Sequence, residues 1–114
     1  MKKFKEFVTE VAVETRIAHH KRKIEHHKMW KEFHDTRSEE QADEGDENGE
    51  DYYSGLASGN RRAIDAHTKA LKAHKKNSPD KLKLSKHARD ESDDVRREGG
   101  DSVGEHGDPK EYMS

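Results

Sequence analysis

One spacing constrains this chain more than any other: an aliphatic residue followed three positions later by histidine. It occurs at Ile17/His20, Ile24/His27, Ile64/His67, Leu71/His74 and Leu84/His87. Residues 16–22 and 23–29 match as a seven-residue repeat, as do residues 63–69 and 70–76. In heptad terms the aliphatic residue takes position a and histidine position d, the narrow stripe of a helix–helix seam. The spacing therefore predicts an all-α fold, with two to three helices in a loose or extended hairpin.

Charge divides the chain further. Residues 1–37 hold ten Lys/Arg and six Asp/Glu, residues 38–59 eight acids and no base, residues 60–89 ten bases and two acids, and residues 90–114 three bases and nine acids. The net charge of −2 hides these strong local fields. Residues 1–37 read as a long N-terminal helix, about 4–35, free of Gly and Pro. Residues 38–59 read as a self-repelling acidic linker. Residues 60–98 read as a basic helical segment. Its first helix, about 60–76, is rich in alanine and closes at Asn77. Its second, about 79–98, starts with Ser78 as N-cap and Pro79 in the first turn. Residues 99–114 read as a disordered acidic tail.

Charged residues make up 42% of the chain. Large apolar residues are too few for a deep core, so a partner surface or self-association is the expected remedy. The expected partner-binding residues are Ile17, His20, Ile24, His27, Met29, Trp30, Phe33, Ile64, His67, Leu71 and His74. Packing is the first reading of the histidines. A titratable seam is the second: neutral histidine against Ile or Leu would make association weaken as pH falls from about 7.5 to about 5.5.

A metal site is not expected, because no two histidines stand three or four apart on one helix. A shared ion would need histidines from different helices or chains. There is no cysteine, which removes thiolate, disulfide and cysteine-based metal chemistry. No apolar run approaches the ~20 residues of a membrane span. No nucleophile elbow or phosphate-binding loop is present. No catalytic residue and no cofactor is expected.

The alternative class is nucleic-acid binding through Arg61, Arg62, Lys69, Lys72, Lys75, Lys76, Lys81, Lys83, Lys86 and Arg89. That segment has no aromatic residue to stack on bases. Its competing fate is pairing with the chain's own acidic blocks, which is the favoured expectation.

Met1-Lys2-Lys3-Phe4-Lys5-Glu6-Phe7-Val8-Thr9-Glu10 resembles the leader that opens many small proteins of large contractile-tailed phages, head-associated ones included. In such phages a protease cuts after Glu in an aliphatic-x-Glu motif, which here would be Val8-Thr9-Glu10. The usual aliphatic residue is Leu or Ile. The resemblance covers about ten residues and implies a non-enzymatic accessory or virion protein, in the virion or the host cytoplasm. It would bind phage or host proteins or a second copy of itself, with nucleic acid as the alternative partner and no membrane.

Overall fold

The computed structural model describes the backbone of residues 2–102 and the side chains of residues 15–102. Three helices follow in order: α1 (Lys2–Asp43), α2 (Glu47–Lys75) and α3 (Lys81–Glu98). The expected all-α hairpin is what forms. The side chains of Val8, Thr9 and Glu10, with residues 103–114, lie outside the described residues.

The boundaries differ from expectation in the acidic run. Residues 38–43 continue α1 and residues 47–59 open α2, leaving a turn at Glu44, Gly45 and Asp46. Gly45 adopts the left-handed conformation at φ 79°. The Asp46 N–H then returns to Gln41 O at 2.8 Å, which closes α1. The Asp46 carboxylate accepts from Gly49 N–H at 3.0 Å and so starts α2. Glu47 and Glu50 lie in the first turn, where acids suit the helix dipole. The Ser38 hydroxyl donates across the hairpin to Glu50 O at 3.0 Å. Capping and good helix formers outweigh repulsion between exposed carboxylates, which water and salt screen.

At the other turn Asn77 takes φ 52° and ends α2 as expected. The start of α3 is shifted: Asp80, not Ser78, holds the N-cap position, and the helix begins at Lys81. Gly99, at φ 80°, ends α3, and the Gly100 N–H returns to Val95 O at 2.8 Å.

α2 is the central element. α1 and α3 each pack along it, and the backbones of α1 and α3 do not approach one another. The small residues Ala63, Ala66, Ala70 and Ala73 let both neighbours come close to α2. Ala66, Ala70 and Ala88 form an apolar cluster with Leu84 packed against it. What joins α1 to α3 is polar.

Candidate functional site

The buried positions of α1 include His20, His27, His34 and Gln41, each seven apart; those of α2 include Tyr53, Asn60, His67 and His74, also seven apart. α3 contributes half-buried Ser85 and Ser92. His20, His27, His67 and His74 were expected on this ladder. His34, Gln41, Tyr53 and Asn60 were missed, although extending the same heptad register would have found them; Ser85 and Ser92 were missed too, and the aliphatic–histidine repeat does not mark them. Leu84/His87 does not belong: His87 lies at the surface, 3.9 Å from Glu91.

The hydrogen bonds between these residues run in one direction, and Asn60 sets it. Its Nδ2 donates to Leu56 O at 3.0 Å and Gly100 O at 2.8 Å, so Oδ1 is left as the acceptor. His27 Nδ1, 2.8 Å from that oxygen, must donate. A neutral His27 then has a bare Nε2, which accepts from the Ser92 hydroxyl at 2.8 Å. Ser92 Oγ in turn accepts from His67 Nε2–H at 2.6 Å. That leaves His67 Nδ1 to accept from His20 Nδ1–H at 2.8 Å. His20 Nε2 accepts from the Ser85 hydroxyl at 2.9 Å, and Ser85 Oγ accepts from His74 Nε2–H at 2.6 Å. Every tautomer follows from neutrality and the Asn60 amide. At the terminus, His34 Nε2–H also donates to Gly100 O, at 3.0 Å. A Cβ on Gly100 would lie 2.9 Å from Val95 Cγ1 and 3.1 Å from Asn60 Nδ2, so this carbonyl reaches the chain because residue 100 has no side chain.

Burial and charge both keep the histidines neutral. His67 is held down to about 3 by desolvation, then by His20, His27, His19 and Lys23. His20 is held to about 4 by desolvation, then by His19, His74 and Arg16. Burial is also the first cause of the lowering at His27, His74, His34, His19 and His26. At His27 the bond to Asn60 and the charge of Asp101 work the other way, as do Gly100 O and Asp35 at His34.

Ser85, His20 and His67 share the connectivity of a nucleophile, base and orienting group. A base held near 4 takes up a serine proton poorly at neutral pH. The arrangement is far better suited to joining three helices. The separate helices do bring histidines together, yet no group of three or more His, Asp or Glu among the described residues is placed to hold a metal ion. No helix among the described residues is long and apolar enough to cross a membrane.

The expected partner-binding set is thus largely turned inward. His20, Ile24, His27, Trp30, His67 and His74 are buried in the chain's own bundle; Ile17, Phe33, Ile64 and Leu71 are half-buried. The seam is filled by α2 and α3 rather than by a second chain. Met29, 49% exposed, is the member that stays outside. With Phe33 and Thr36 it borders a shallow groove of about 290 Å³ on α1.

The expected nucleic-acid residues are placed differently. Arg61, Arg62, Lys69, Lys72, Lys75, Lys76, Lys83, Lys86 and Arg89 are exposed and Lys81 is half-buried. Among the described residues the block 60–89 reaches an acidic block through Glu91 alone, 3.9 Å from Arg62 and from His87. The antiparallel packing explains this. It sets residues 15–28, 61–76 and 77–89 at one end, where fifteen Lys/Arg meet three Asp/Glu. Residues 35–54, with nine acids and one base, form the opposite end. At the basic end the His20–Ser85 bond bridges α1 and α3. They leave a cleft of about 400 Å³ lined by Arg16, His19, His20, Leu82, Ser85, Lys86 and Arg89.

Comparison with protein-family models, curated proteins and solved structures gives no match.

Proposed function

We propose that the protein is a non-enzymatic binding protein whose basic end docks a polyanion, with nucleic acid as the first candidate. One observation carries this reading: the fold gathers two basic stretches distant in sequence onto one end and leaves their side chains facing outward, away from the acidic end. Fifteen cations against three acids supply the phosphate contacts from which sequence-independent binding is built. Among the described residues this end exposes no Phe, Tyr or Trp, so stacking on bases would contribute little.

Titration of a fluorescent DNA duplex over a salt series is the test. A protein making several phosphate contacts loses about a thousandfold or more in affinity between roughly 50 and 200 mM salt. Absence of binding at low salt removes the reading. A setting in a phage particle rests on the leader resemblance in residues 1–10, and mass spectrometry of purified virions would test it together with cleavage after Glu10. A second reading, docking of a partner protein, is favoured by exposed Met29 beside Phe33 at the α1 groove. Met29→Ser would then weaken capture of that protein and leave DNA binding unchanged.

A further inference from the structure

We propose that the cleft between α1 and α3 at the basic end is a discrete site for a phosphate group, resting on the reading of that end as an anion-binding surface. Most of the basic end is exposed helix surface, where cations from different helices are not drawn together. The cleft is different, because it draws cations from two helices toward one concavity. Arg16 comes from α1, and Lys86 and Arg89 come from α3. No acid lines it. Among the described residues none of these three cations forms an ion pair. They face the cleft with their charge uncompensated.

The shape has a cause in the bundle. The backbones of α1 and α3 pack on α2 and do not approach each other. The buried His20 ring reaches Ser85 Oγ at 2.9 Å and props the two helices at a fixed separation. The bridging His20 and Ser85 line the cleft together with the cations, which therefore stand on helices instead of on a loop. Preorganisation of this kind lowers the entropy lost on binding.

The chemistry selects phosphate over a smaller anion. Two guanidinium groups offer planar forks that match phosphate oxygens in pairs, and Lys86 adds a point charge. A cleft of about 400 Å³ exceeds what a bare ion fills, and Leu82, 57% exposed, adds an apolar wall. A phosphate ester carrying a sugar fits this description. Its source is either a nucleic-acid backbone or a free phosphorylated small molecule.

The test uses the full chain with two probes, inorganic phosphate and a short DNA duplex. Amide NMR should show saturable shifts with phosphate, confined to residues near 16–20 and 82–89. The double variant Arg16→Gln/Arg89→Gln should abolish them. These side chains lie outside the buried hydrogen-bond chain, and circular dichroism verifies the fold. The control double variant Arg61→Gln/Lys75→Gln removes the same charge from the same end outside the cleft. For a backbone phosphate seated in the cleft, the cleft variant weakens duplex binding at least about tenfold more than the control at equal salt. Saturable phosphate shifts without duplex binding keep the cleft as a small-phosphate site and remove the nucleic-acid reading. Duplex binding weakened equally by both variants, with no saturable phosphate shift, overturns the cleft and leaves only a diffuse basic surface.

Discussion

The two ends of the bundle use the same ladder positions to build interiors of opposite kind. Toward the basic end the ladder is His20, His67, His74 and His27, tied to Ser85 and Ser92 and backed by alanines. Toward the acidic end it is His34 and Tyr53. His34 stacks between Trp30, at 5.9 Å, and Tyr53, at 6.0 Å, with the Arg37 guanidinium 5.2 Å over the Tyr53 ring. The first interior depends on hydrogen bonds available only to neutral rings. The second depends on aromatic area. Equal heptad spacing therefore fixes which residues are inside but not what holds them there.

Acid should break that equivalence most. An unfolded histidine titrates near 6.5, whereas His20 and His67 are held near 4 and 3 in the fold. Below 6.5 the unfolded state binds the extra protons, so stability falls as pH drops from 6.5 toward the folded values. Each such histidine costs about 1 kcal/mol per pH unit across this window. Two of them consume a large share of the roughly 5–15 kcal/mol available to a small domain. The groups facing them are His19, Arg16, Lys23 and neighbouring histidines, all of which lower the pKa. Urea unfolding should show a steep loss below pH 6, and amide exchange should rise first in residues 16–27, 64–76 and 82–92. Exchange rising equally in residues 35–56 would break the comparison. The pH effect expected of a seam between chains should thus act within one chain.

Tyr53→Ala tests the aromatic end. Tyr53 is fully buried, and deleting a large buried ring costs about 3–5 kcal/mol. The loss should vary little between pH 7.5 and 6, because among the rings Tyr53 touches only His34 titrates there. A strongly pH-dependent loss would couple the two ends.

Ser92→Ala probes the histidine end without removing a ring. It strands His67 Nε2–H and His27 Nε2, both buried. Leaving such groups unsatisfied costs about 1–3 kcal/mol. Chemical denaturation at pH 7.5 measures it, and NMR of the ring nitrogens should show the His27 tautomer preserved by Asn60. A mixed His27 tautomer in the native protein would refute the one-way chain.

Gly45→Ala gives the smallest effect, about 1 kcal/mol, since a Cβ is disfavoured at φ 79°. Nothing lies within 4 Å of the added atom, so the cost is conformational alone. Thermal unfolding compared with Gly45→Asn, which tolerates this region better, isolates it.

Much of this was legible before the structure. The stretch from residue 2 to residue 43 has no Gly or Pro, so α1 is written in local propensity. The spacing of His20, His27, His67 and His74 identified a helix face, because helical geometry places such residues on one side wherever the helix goes. Asn77 marked a helix end for the same local reason. The acidic run was misread because its negative charge drew more weight than its caps. What the helix faces meet was beyond the reach of sequence. Ser85 and Ser92 are ordinary helix residues until α3 folds back on α2 and lays them between pairs of histidines. Asn60 sets the direction of six residues' protons only because Gly100 and Leu56 present carbonyls to its amide. The basic end likewise exists only after α2 turns antiparallel to α1 and brings residues 15–28 beside 61–89. Periodicity is a property of one helix, and its residues carry it in sequence. A hydrogen-bond partner, a cleft or an electrostatic pole belongs to several helices at once, and only their packing decides it.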